Sequence, residues 1–192
     1  MLGSRAERTI ARILDATRQI FLLQGYAGTT IDDITRAAGI SRASFYTYFP
    51  SKRDVLLALG VNTANATADV IRAVQDLPSS WARADLEAWV SQCFTLLDDH
   101  GGFAFAWTQA AHEDAEIRVA GSRGHLELCH QLGVALCDLG MPTSQGTVEV
   151  GLLVLSMLER SWAYCQLYGD TVDVMTVQRQ AARVVEGIIG LP

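Results

Sequence analysis

No stretch of this chain is apolar for long enough to cross a bilayer. Its longest run without a charged residue, Val55 to Ala68, has 14 residues and includes two Asn and two Thr. A spanning helix needs roughly 20 mostly apolar residues. The opening MLGSRAER leads into no apolar signal core, so a cytoplasmic location with no membrane partner is the expectation. Paired cysteine motifs are missing as well. Cys93, Cys129, Cys137 and Cys165 sit singly in apolar segments, the pattern of reduced, buried thiols rather than of a disulfide framework.

Catalytic and metal signatures are equally sparse. His100, His112, His125 and His130 lack the i, i+4 spacing of a helical zinc site, and Cys129-His130 with Cys137 makes no convincing ligand set. Gly101-Gly102 stands alone, without the rest of a phosphate loop. Glu113, Asp114 and Glu116 read as a solvated face. Neither an enzyme nor a metal or cofactor is therefore expected. Strand alternation, internal repeats and low-complexity tracts are also absent, which leaves helices.

Helical periodicity runs from end to end. Ile10, Ile13, Leu14, Thr17, Ile20 and Phe21 follow the i, i+3, i+4, i+7 rule, and Gly25 is placed to stop that helix. Thr29 or Thr30 caps a short second helix, with Asp32 and Asp33 at its positive end and Gly39 after it. Ser41 caps a third, which Pro50 ends. Ser51 caps a long fourth helix through Leu77. After the break at LPSS, helices are expected at about 81–99, 103–114, 116–139, 145–168 and 173–189, interrupted at Gly101-Gly102, Gly140-Met141-Pro142 and Gly169-Asp170. The fold class is all-α with about nine helices. With 49% hydrophobic and 19% charged residues, the chain can fill a sizeable core.

Charge divides this helical chain unevenly. Residues 1–60 carry eight Lys/Arg against five Asp/Glu, a net of +3, whereas the other 132 carry seven against sixteen, a net of −9. The basic part can approach a polyanion that the acidic part repels. Within it, two short helices joined by a tight turn with small residues Ala37, Ala38 and Gly39 make a helix-turn-helix. Ile34, Ile40, Phe45 and Phe49 supply its inner face. Arg42, Ala43, Ser44, Tyr46 and Thr47 remain outside, on a helix end thin enough for a major groove about 12 Å wide. Arg42 suits guanine O6 and N7, and Thr47 a thymine methyl or a hydrogen-bonding edge. Tyr46 and Tyr48 offer hydroxyls to phosphates. Lys52, at the start of the fourth helix, and Thr30, at the start of the second, are further phosphate candidates. Ser41 completes the set.

The stretch TTIDDITRAAGISRASFYTYFPSKRDVLLAL resembles the DNA-binding domain of TetR-family regulators. Thr30, Ile34, Ala38, Gly39, Ile40, Ser41, Phe45, Tyr46, Tyr48, Phe49, Ser51, Lys52, Val55 and Leu56 fall on that family's pattern, and Thr35 stands where the family usually has alanine. GISR-x-x-FY-x-YFPSK and MLERSWAYCQLYGD look most like its EthR-type branch. The resemblance implies a three-helix DNA-binding domain, here residues 1–52, and a helical ligand-binding and dimerisation domain, residues 53–192.

The C-terminal residues fit that expectation on their own terms. GTVEVGLLVLSML, residues 146–158, contains a single charge, and Val174, Val177, Ala181, Val184 and Ile188 form an apolar stripe. A helix apolar nearly all round needs cover on every side, so a homodimer through the last two helices is expected. Its two reading heads would enter successive major grooves of double-stranded DNA, about 34–36 Å apart. Trp89, Phe94, Phe103, Phe105, Trp107, Met157 and Trp162 are candidates to line a pocket for a small hydrophobic effector. The expected function is a ligand-responsive repressor on a palindromic operator. The alternatives are a DNA-binding regulator with a solid C-terminal core and no ligand, and a helical enzyme with an incidental helix-turn-helix.

Overall fold

The structure, a computed structural model, describes residues 3–78, 80–142 and 146–190. Among them are eight α-helices and no strand: α1 (Ser4–Gly28), α2 (Ile31–Ala38), α3 (Arg42–Tyr48), α4 (Lys52–Gln75), α5 (Arg83–Glu113), α6 (Ala115–Asp138), α7 (Thr147–Tyr168) and α8 (Val174–Ile189), with a 3-10 turn at Gly169–Thr171. None of these helices is long and apolar enough to cross a membrane. The expected helix start at 145 lies outside the described residues, as do Ser79 of the LPSS break and Met1 and Leu2.

Local chemistry sets the element ends. Gly25 has φ 69° and ψ 178°, so α1 is interrupted there before one last turn. Thr30 then opens α2 with a reciprocal capping box: its hydroxyl accepts from the Asp33 amide, and the Asp33 carboxylate accepts from the Thr30 amide. Gly39 ends α2 in the left-handed region, φ 61°, where a side chain would be strained. Ser41 caps α3 by accepting from the Ser44 amide, 3.1 Å. At the start of α4, Ser51 donates to the Asp54 carboxylate at 2.5 Å and accepts from the Asp54 amide at 3.3 Å.

One expected break is absent. The segments 81–99 and 103–114 form a single helix, α5, that runs straight through Gly101 and Gly102. Both glycines are buried. A Cβ on Gly102 would lie 2.4 Å from the Arg18 carbonyl oxygen and 3.2 Å from the Leu22 Cβ. Close approach of α5 to α1, and not a turn, is what glycine provides here.

The chain forms two compact units. The first comprises residues 1–63 with 99–122, and the second residues 64–98 with 123–192. The helices α4, α5 and α6 each contribute residues to both. In the first unit Ile13, Phe21, Ile34, Phe45, Val55 and Leu59 share a core with Ala106, Ala110 and Ile117. In the second, Leu86, Trp89, Leu132, Leu136, Trp162 and Val185 are central to a larger core.

Candidate nucleic-acid interface

The short helix α3 is amphipathic at single-residue resolution. Phe45 is 0% and Phe49 7% exposed, and their rings lie 6.1 Å apart in the first unit's core. Arg42, Ala43, Tyr46 and Thr47 face solvent, with Ser41 exposed at the cap. Ser44 is half-buried, and so is Tyr48, which packs against the core. The exposed and buried rows thus alternate as a 3.6-residue period requires.

Several candidate side chains are already engaged. The Thr30 hydroxyl is taken up in the capping box, where it also donates to Asp33 Oδ2 at 2.5 Å. That hydrogen bond is the main reason the Asp33 carboxyl sits below its ordinary pKa. The Ser41 hydroxyl is a cap, and Thr47 Oγ1 donates back to the Ala43 carbonyl at 3.0 Å. Thr35 donates to the Asp32 carbonyl at 3.1 Å and is 6% exposed, so its hydroxyl serves the α2 backbone.

Lys52, the only lysine in the chain, is bound inward. Its Nζ donates to the Tyr26 carbonyl at 2.5 Å and to the Thr29 carbonyl at 2.7 Å, and stands 4.2 Å from the centre of the Tyr26 ring. Burial pulls its pKa below the usual lysine value, with Glu113 opposing. Two of its three N–H bonds therefore tie the start of α4 to the α1–α2 turn.

Arg42 is held across the two helices of the motif. Its Nη1 donates to Asp32 Oδ1 at 2.6 Å and its Nη2 to the Tyr46 hydroxyl at 3.2 Å, with the Tyr46 ring centre 5.8 Å from Cζ. The Asp32 hydrogen bond raises the Arg42 pKa further, keeping the group charged. Arg12 of α1 donates to the carbonyls of Ala38 and Gly39, at the negative end of α2. Arg18 pairs with Asp15, Arg36 with Asp33, and Arg53 with Asp114 and Glu116. Six of the eight cations in residues 1–60 thus have partners within the chain. The sequence reading missed Asp32 in this role. Its signal was an acid in the first turn of α2 ten residues before an arginine, legible only once the turn geometry is known.

The same unit includes the α5–α6 turn. Gln109 Oε1 accepts from the Tyr26 amide at 2.7 Å, and Arg53 reaches the acids at 114 and 116. Glu113, Asp114 and Glu116, read as a solvated face, include two partners of the α4 start.

The seven effector candidates divide between the units. Phe103, Phe105 and Trp107 belong to the first, where Phe103 and Trp107 pack on the core and Phe105 is 38% exposed. Trp89, Phe94, Met157 and Trp162 belong to the second. Trp89 Nε1 donates to the Val70 carbonyl at 2.9 Å and Trp162 Nε1 to Asp98 at 2.8 Å. These indoles are satisfied members of a packed core.

Residues 13–59 match the family model described as bacterial regulatory proteins, tetR family. The regulator EthR of Mycolicibacterium smegmatis is 32% identical over 111 residues, 56% of this chain, and the chain spans half the length of that relative. The repressor KstR2 of Rhodococcus jostii is 25% identical over 190 residues, 95% of this chain and 91% of its own length. Among solved structures, FadR of Bacillus subtilis, determined in complex with stearoyl-CoA, superposes with a TM-score of 0.67 at 15% identity, covering 95% of this chain and 99% of that one. That likeness extends the shared fold beyond the helix-turn-helix. The matched relatives are named as transcriptional regulators, not enzymes. Residues 13–59 thus carry the DNA-binding domain of the tetR family of bacterial regulatory proteins, within an all-helical chain that shares the fold of these solved regulators.

Proposed function

We infer that the chain is a ligand-responsive repressor that binds a palindromic operator as a homodimer in the cytoplasm. The observation that carries the DNA contact is the outward row Arg42, Ala43, Tyr46 and Thr47, anchored from behind by buried Phe45 and Phe49. Residues 1–52 supply the DNA contact, and residues 53–192 dimerisation and effector binding. On the last two helices Leu153, Tyr164, Leu167, Tyr168, Met175 and Val184 are 45–71% exposed, the least being Tyr164 and the most Leu167. Apolar surface of that extent on two adjacent helices is suited to a second copy of the chain. The Val174 and Val184 positions of the expected stripe are exposed, whereas Ala181 is buried within the chain.

A hydrophobic effector would act by favouring a conformation whose two heads no longer match the groove spacing, which requires tighter binding to that conformation than to the DNA-bound one. The acyl ligand named for FadR supports an effector of that class. One observation favours the second reading, a regulator without an effector: the indoles of Trp89 and Trp162 are committed to partners inside the core.

Binding-site selection from random duplexes tests the DNA reading, and its repetition with long-chain acyl-CoA separates the two effector readings. A palindrome is expected, released on addition of the acyl compound. Enrichment of no palindrome overturns the DNA reading; retention of DNA at saturating acyl-CoA favours the effector-free one. Arg42→Ala should cost about 1–3 kcal/mol of operator affinity and relax specificity at one base position.

A further inference from the structure

We propose that Asp32 is a specificity-determining residue, acting through Arg42: it withholds the guanidinium from phosphates and presents it to a base edge. This rests on the DNA-binding reading above. The arrangement joins three exposed groups on two helices. The Arg42 and Asp32 side chains are 55% and 57% exposed and 2.6 Å apart, and the Tyr46 hydroxyl holds the second guanidinium nitrogen at 3.2 Å. Two of the five guanidinium N–H bonds are occupied, leaving three, and a bidentate contact to guanine needs two.

An unrestrained arginine at the first position of a recognition helix could swing to the nearest phosphate on any sequence. Phosphate contacts carry affinity but no sequence information. Asp32 opposes that in two ways. It fixes the arm between α2 and α3, and its own charge repels the phosphate backbone wherever no compensating base contact forms. On the operator the arginine is already oriented, so the carboxylate costs little. On other DNA it weakens binding. Asp32 therefore sharpens the ratio between the two rather than the affinity itself.

The test compares wild type, Asp32→Asn, Arg42→Ala and the double variant on two duplexes, the palindrome recovered by selection and a scrambled duplex of equal length, over a series of salt concentrations. For Asp32→Asn, affinity for the scrambled duplex should rise about fivefold, the upper range for an exposed charge pair, while affinity for the palindrome changes less than twofold. The slope of log K against log salt on scrambled DNA should steepen by about 0.9, one further phosphate neutralised. Selection repeated with Asp32→Asn should lose information at the base pair that Arg42→Ala also relaxes, and at no other. In the Arg42→Ala background the Asp32 substitution should have no effect on the ratio. Asp32→Ser, which keeps a residue suited to a helix start, should behave like Asp32→Asn, with melting curves of both matching wild type.

An unchanged ratio of the two affinities, or an Asp32 effect that persists in full without Arg42, overturns the proposal. In those cases wild type still selects a palindrome, so the DNA-binding reading stands. If wild type selects none, both fall together.

Discussion

Lys52→Met removes one charge and leaves a side chain of similar length. In a reading of Lys52 as a phosphate contact, it changes only DNA binding. The structure predicts a stability defect first. The ammonium donates to two carbonyls, Tyr26 at 2.5 Å and Thr29 at 2.7 Å, and lies over the Tyr26 ring at 4.2 Å. Hydrogen bonds to a charged group contribute about 1.5–3 kcal/mol each, and a cation over an aromatic face about 0.5–2 kcal/mol. The site is half-buried and the three contacts share one atom, so they do not add, and the low end applies. The substitution should cost about 2–3 kcal/mol, which for a chain of this length lowers Tm by about 5–10 °C. Thermal melting by circular dichroism, with guanidinium unfolding followed by tryptophan fluorescence, measures this without DNA. On DNA the salt slope should fall by less than the 0.9 of a full phosphate contact. Stability unchanged within about 0.5 kcal/mol together with a full loss of that slope would refute the inward role.

The two glycine substitutions should have opposite signs. Gly102→Ala places a methyl 2.4 Å from the Arg18 carbonyl, and forcing α1 and α5 apart costs about 1–3 kcal/mol, more than the gain in helix propensity of about 1 kcal/mol. Gly124→Ala, on the exposed side of α6 with nothing within 4 Å, should gain most of that propensity; denaturant midpoints check both. His100 is half-buried, and burial first, then Arg18, hold its pKa below the ordinary 6.5. The unfolded chain therefore takes up its proton first as pH falls, so the His100 contribution to stability is present above 6.5 and is lost on acidification toward the lowered value. NMR titration of the ring proton should give a midpoint below 6.5, and a midpoint at or above it would contradict the burial assigned here.

The elements most legible in sequence were those fixed by local rules. Caps at Thr30, Ser41 and Ser51 and the stop at Gly39 follow from a few neighbouring residues, and the inward placement of Phe45 and Phe49 follows from the helical period. The Gly101-Gly102 pair was not readable in that way. A glycine that permits a turn and one that permits two backbones to approach look alike until the opposing helix is known. The same holds for side-chain commitments. Lys52 is answered by residues 23 and 26 positions away, Arg53 by residues 61 and 63 away, and Arg42 by one 10 away. A face that periodicity marks as outward can still have its polar groups spoken for. The aromatic candidates show the complementary effect: a period places Trp89 and Trp162 inward, but only packing reveals that their N–H groups have core partners.

The first unit's core draws on Ala106, Ala110 and Ile117 as well as on residues before 63. Its sequence is therefore discontinuous: the reading head is completed by a helical hairpin that arrives some forty residues later in the chain. Transplanting this head onto another regulator by joining chains after α3 would leave behind Val55, Leu56 and Leu59 and the whole hairpin, and expose the faces they cover. Under the proposed function, binding specificity is better exchanged at the surface of α2 and α3, by substituting Asp32, Arg42, Tyr46 and Thr47 in place. A lineage that diversified its operators by drift at those few exposed positions would keep the entire scaffold, whereas one that shuffled segments would have to move two pieces at once.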